Sequence, residues 1–285
     1  MRTRWAEVRM TGNESIREPA AEPWPGDEAG ERPRSIAPVW HTVLLLAGIL
    51  ALSIHGAMQF ASGHVPPHRT TVYATTAVME LVMLAWVAFG LRLRRVRLRS
   101  LFGSMTGGTR ALMLDAGMAL VFWVGAMLAL GTLGVVWSGV EAAVTHQAPE
   151  IRAGHTIKPG PEQQKIIRVM AELAPANGEQ IAEWILLCIL VGIVEEAVFR
   201  GYLQQQFTAW ARGGAAAGVV FSALAFGAAH GYQGVRNMIL LTVFGALFSL
   251  LALYRCGLRP GIFAHSWHDL IAGLALAFLR AHKLI

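Results

Sequence analysis

Charge is scarce in this chain. Asp, Glu, Lys and Arg make up 15% of its 285 residues, where soluble domains carry about 25%. Hydrophobic residues reach 54%, more apolar surface than a water-soluble globule of this size has a core to hold. Cysteine is almost absent. Cys188 and Cys256 lie in or beside different apolar segments with no Cys-x-x-Cys spacing, which supports neither a disulfide framework nor a cysteine zinc cluster, so both read as helix-packing thiols. The chain also lacks a Walker A loop, a dinucleotide fingerprint and an internal repeat. The alternating pattern that an outer-membrane barrel needs is missing too.

What is present is a series of apolar runs, each long enough to cross a hydrocarbon core about 30 Å thick. They predict spans at 39–60, 71–91, 111–136, 181–203, 215–231, 236–254 and 261–280. The fold class is therefore all-α, a polytopic membrane bundle of about seven helices whose backbone hydrogen bonds close within each helix. The net charge of +6 and pI near 9.9 do not indicate nucleic acid, because the basic residues flank the apolar runs. The densest group, Arg92, Arg94, Arg95, Arg97 and Arg99, directly follows one of them. With the N-terminus inside, sixteen of the 24 Lys and Arg fall on the cytoplasmic side and eight on the other, as the positive-inside rule requires. The expected location is the plasma (inner) membrane.

Residues 1–37 combine six arginines, seven carboxylates and four prolines, a composition that reads as a disordered cytoplasmic tail. The tail has no apolar h-region and no small-residue cleavage site, so the first spanning helix is expected to direct insertion. Three helices follow in 38–136. The connection 137–180 holds His146 and His155 and is expected outside the cytoplasm, its stretch from Glu162 to Leu173 patterned as an amphipathic surface helix. The last four helices occupy 181–285.

Ionisable residues within spanning helices cost about 2.5–3.5 kcal/mol each on insertion scales, which marks them as functional candidates. Glu195, Glu196 and Arg200 form the first group. Neighbouring residues on an α-helix point about 100° apart, so the two glutamates should not address one spot, whereas Glu196 and Arg200 share a face and can pair. Glu195 is then left to face a cavity as a base or ligand. The alternative has all three snorkelling to the surface, but Gln204–Gln206 offer a more natural boundary. His230, preceded by Phe226 and followed by Gly231, is the second candidate. His265 and Asp269 form the third, one face of the last helix, with His268 to one side. His41, His55, Glu80 and Asp115 have no partner within their own segments and read as interhelical or interfacial hydrogen-bonding groups. Counted from the expected boundaries, Glu195 and His265 lie at similar depth, roughly 13 and 12 Å inside. One pocket can hold all three groups if the fifth helix stops short at Gly231 and the segment from Tyr232 to Gly234 lines a cavity.

The stretches EEAVFRG at 195–201, FGAAH at 226–230 and PGIFAHSWHD at 260–269 resemble, in order and spacing, the three motifs of the CPBP family of intramembrane proteases. That group includes CAAX-processing type II endopeptidases and bacteriocin-processing or immunity proteins. The resemblance covers about residues 181–275 and implies that 181–285 is a four-helix catalytic core. It implies an intramembrane endopeptidase cutting a peptide bond of a membrane-associated peptide or protein. Glu195, His230, His265 and Asp269 would then be catalytic, with Glu196, Arg200 and Phe226 supporting the site. Two mechanisms stay open: a zinc ion on Glu195, His230 and His265, or direct deprotonation of water by Glu195 and His230 with His265 stabilising the oxyanion. Asp269 stands where the family often has asparagine. An ionised aspartate cannot donate to an oxyanion; it would have to be protonated, as a carboxyl in an apolar site can be, or instead orient His265 or bind metal, and its expected role shifts toward these last two. The runner-up is a non-catalytic immunity or scaffold protein of the same fold. An ion- or proton-coupled transporter is a weaker reading, because no paired pattern of broken helices spans two halves of the chain.

Overall fold

A computed structural model describes residues 34–62, 68–103, 107–145 and 161–284. Among these residues the only pairing of extended backbone is an isolated bridge between Gly103 and Gly257, and the rest of the ordered structure is helical. The long apolar helices are α1 (Val39–Ala61), α2 (Arg69–Leu93), α3 (Gly108–Thr145), α8 (Gly234–Arg255) and α9 (Arg259–Ala281). All five are long and apolar enough to cross a membrane, and the chain is an integral membrane protein.

Two of the seven expected spans take another form. In place of 181–203, one unbroken helical run links α5 (Gly178–Glu195), a π-helical segment Glu196–Leu203 and α6 (Gln204–Trp210); its carboxylates and Arg200 interrupt the apolar stretch. In place of 215–231, α7 (Ala215–Ala229) has 15 residues, about 22 Å at 1.5 Å per residue, short of a full crossing. The short helix ends, as the sequence reading required, just before Gly231. A single 3-10 turn, Gly231–Gln233, follows, and Gly234 takes φ +83 at the restart into α8, a backbone conformation that glycine adopts without strain.

A helix end inside a bundle leaves carbonyls without water. Here side chains satisfy them: Ser53 Oγ on α1 donates to Ala228 O at 2.7 Å, and His230 Nδ1 bonds Phe226 O at 2.8 Å. At the start of α5, Asn177 accepts the Gln180 amide N–H, while the Gln180 side chain accepts from Ala176 N, a reciprocal N-terminal cap.

Several expected segment boundaries shift. Helix α3 runs on to Thr145, beyond the expected end at 136. The amphipathic pattern after Glu162 does form a helix, α4 (Pro161–Leu173); Arg280 on α9 caps its end by donating to Ala171 O, Ala174 O and Pro175 O. His146 and His155 lie outside the described residues, as does the tail through residue 33, but Ile36 and Ala37 are buried. Their backbone N–H groups donate to Gln206 Oε1, and Gln206 Nε2 donates to Ala37 O. Gln204, Gln205 and Gln206 are all buried, so they do not mark the water boundary expected of them, and Gln206 is an internal staple. Buried amides need internal partners, and Gln204 finds Ser249 O on α8.

Polar bonds between helices tie the first three helices to one another and to the rest of the bundle, as expected of His41 and Asp115. His41 Nε2 donates to Trp86 O and its Nδ1 accepts from Tyr202 OH, both at 2.8 Å. Asp115 on α3 pairs with Arg255 at 2.6 Å and Arg259 at 3.4 Å. His55 is exposed beside Gln59.

Candidate active site

The site grows from the π-helical segment. Its backbone carries an i to i−5 bond, Gln204 N to Phe199 O, and Ser222 Oγ on α7 donates to the same carbonyl at 2.6 Å. A π turn widens the helix, and such turns recur at functional sites. Glu196 stands at its first position and Arg200 one turn on, joined at 3.0 Å with both side chains fully buried. The guanidinium needs more than one carboxylate to compensate for lost water. It donates to Gly245 O at 3.3 Å, and it lies over three rings, with centroids 4.4 Å away for Phe226, 5.1 Å for Phe248 and 5.9 Å for Phe199, within range of cation–π attraction.

Glu196 also does what the sequence reading did not foresee. Its Oε1 accepts from His265 Nδ1 at 3.0 Å. On the other edge of that imidazole, Nε2 faces Glu195 Oε2 at 3.5 Å and Asp269 Oδ2 at 3.8 Å. The 100° step between adjacent residues keeps two glutamates from addressing one spot on an ideal α-helix, yet here both reach His265. An imidazole presents two nitrogens on opposite sides, so two carboxylates with diverging directions can grip the same ring. Close approach of α9 makes the grip possible. Gly261 lies where an added Cβ would come within 2.9 Å of Glu196 Oε2, and at Gly192 a Cβ would collide with Ser266 Oγ.

His230 sits at the end of α7. Because a carbonyl only accepts, the bond to Phe226 O puts the proton on Nδ1 and leaves Nε2 with its lone pair. Its ring lies 4.8 Å from Phe226 and 6.1 Å from Tyr232, and Phe226 in turn meets His265 at 6.0 Å. His230 is within electrostatic reach of Asp269. Phe226 thus contacts Arg200, His230 and His265 at once, a larger part than a supporting residue chosen for its place in a motif. His268 turns aside onto Phe244, centroids 5.0 Å apart.

Glu80 departs from its expected role as an interhelical hydrogen-bonding group. It is buried on α2 with Oε2 unpartnered, and it lies within electrostatic reach of Glu195, His265 and Asp269. The signal was a lone carboxylate in an otherwise apolar helix, but nothing in α2 itself says which helix it faces.

Among the described residues, no group of three or more His, Cys, Asp or Glu side chains is arranged to hold a metal ion. Of the three expected zinc donors, only Glu195 and His265 face each other, at 3.5 Å, while the ring of Phe226 meets those of both His230 and His265. The set does not fit zinc as it stands.

Residues 177–271 match the family model described as Rce1-like, type II CAAX prenyl endopeptidase. No curated protein and no solved structure matches the chain. The match takes in all three motif stretches, so the segment that carries Glu195, His230 and His265 is similar to Rce1-like type II CAAX prenyl endopeptidases.

Proposed function

We propose that the protein is an intramembrane endopeptidase that hydrolyses a peptide bond in or near the membrane through Glu195, His230 and His265, with no step routed through a metal. The observation that carries this reading is the half-free carboxylate of Glu195. Its side chain is 12% exposed, facing an imidazole already fixed from behind by the buried Glu196–Arg200 pair.

Each part of the chemistry has a candidate. Glu195, with the Nε2 lone pair of His230, takes a proton from water, and the hydroxide attacks the scissile carbonyl carbon. His265, doubly protonated between its flanking carboxylates, stabilises the oxyanion through Nε2–H, while its Nδ1–H donates to Glu196, which sets the ring's orientation as a third group orients the base in other hydrolytic sites. The carbon–nitrogen bond then breaks, and the departing amine takes a proton from the site. Asp269, at 3.8 Å from His265 Nε2, orients that ring and is not the oxyanion donor. A substrate with a lipid-modified C-terminus suits a site among membrane helices, since each buried CH₂ anchors it by about 0.8 kcal/mol.

The test is cleavage of a farnesylated CAAX-type peptide by purified protein in proteoliposomes. Wild type should cut it, Glu195→Ala should lose cleavage while still inserting, and a chelator should leave the rate unchanged. Undiminished cleavage by Glu195→Ala defeats the reading. Normal biological function in both Glu195→Ala and His230→Ala would favour a non-catalytic scaffold.

A further inference from the structure

The site contains one acid that the proposed chemistry does not use, and it comes from outside the segment matched to the family. Glu80 sits on the buried face of α2, in line with Tyr73 and Val87 at seven-residue steps, the face turned to the bundle. Tyr73 packs its ring on Trp184 at 5.4 Å, and Thr70 donates to Glu183, so α2 lies along α5. Glu195 at the end of α5, His265 and Asp269 on α9 and Tyr232 between α7 and α8 are the groups within its electrostatic reach.

The chamber is crowded with acids. Glu196 is committed to Arg200 and His265; Glu195 and Asp269 face His265 Nε2. Like charges sharing a site cannot all ionise, and a buried charge without a partner costs several kcal/mol. Glu195 Oε2, Glu196 Oε2 and Glu80 Oε2 are all buried with no hydrogen-bond partner, but among these four carboxyls Glu80 alone also forms no ion pair. We propose that Glu80 is the proton-holding carboxyl of the chamber and the acid that protonates the departing amine.

Its use in cleavage rests on the peptidase reading, and the step balances. As the carbon–nitrogen bond breaks, Glu80 gives its proton to nitrogen and becomes a carboxylate. The proton that Glu195 took from water then passes through solvent in the chamber to Glu80, restoring both groups. Water's hydroxyl ends on the acyl carbon and its proton, by exchange, on the amine.

Two measurements test this with the full chain in proteoliposomes. The first is infrared spectroscopy at neutral pH: wild type should show the carbonyl-stretch band of a protonated carboxylic acid, and Glu80→Gln should lose it. A band that persists in Glu80→Gln, or is absent from wild type, overturns the proposal whether or not any peptide is cut. The second is the pH profile of kcat. Glu80→Gln keeps the shape of the side chain but cannot release a proton. It should lower kcat by about 10²-fold with KM little changed and remove the alkaline limb, and Glu80→Asp should restore part of both. A fall in kcat with the profile unchanged would mean a merely structural role and overturn the proposal. A wild type that cuts nothing, beside an intact infrared difference, contradicts the peptidase reading and the catalytic use, while the proton assignment stands.

Discussion

His265 is the residue on which the site turns. It is gripped on one edge by Glu196 at 3.0 Å and faced on the other by Glu195 at 3.5 Å, and the orientation of its ring depends on a glutamate that is itself pinned by Arg200. The Glu196–Arg200 pair is fully buried, and removing one partner of such a pair typically costs about 3–5 kcal/mol because the other charge is stranded. Arg200→Met should therefore lower the thermal midpoint of the protein in detergent sharply, as followed by tryptophan fluorescence. The double variant Glu196→Gln/Arg200→Met should regain part of that stability, the two positions being coupled, yet stay slow in cleavage because His265 has lost its charged acceptor. Full stability in Arg200→Met would contradict the role given to the pair.

At the scale of elements, the site exists because three helices depart from ideal form or approach unusually closely. The run from α5 to α6 carries a π turn, α7 stops after 15 residues, and α9 presses a glycine against Glu196. Gly261→Ala would bring a methyl within 2.9 Å of Glu196 Oε2, and overpacking of this kind costs about 1–3 kcal/mol. It should reduce kcat through displacement of Glu196 while leaving insertion intact, as read by cleavage assays and membrane fractionation. Unchanged kcat would show that the contact is tolerated. The sequence carried part of this plainly. Hydropathy exposed the helices, i to i+4 spacing exposed the Glu196–Arg200 pair, and the condition that one pocket hold the three groups required α7 to stop short. It could not carry the π turn, because an ideal helical wheel assumes 3.6 residues per turn and so kept Glu195 and Glu196 apart. Glu80 and the buried glutamines were misread for another reason: periodicity shows which face of a helix is polar but not what stands across from it.

On the scale of the whole molecule, the helices matched to no family still brace and feed the site. Asp115 ties α3 to Arg255 and Arg259, and Arg280 clamps α4 onto α9. Arg280→Ala should free α4 and raise proteolytic nicking near residues 161–175 without abolishing insertion, an outcome that limited proteolysis reads directly. The charge distribution predicts that the turn between α8 and α9 faces the cytoplasm. Cys256 in that turn is exposed while Cys188 is buried, so a membrane-impermeant maleimide should label the protein at Cys256 only after permeabilisation. Labelling in intact cells would reverse the orientation.

The account rests above all on Glu195 acting as the base in one chamber with His230 and His265. The most direct measurement is single-turnover cleavage of a farnesylated peptide by wild type and Glu195→Gln in matched proteoliposomes, both shown to be folded and inserted. The account predicts cleavage by wild type and a loss of at least about 10²-fold in the variant, and equal rates in the two would contradict it.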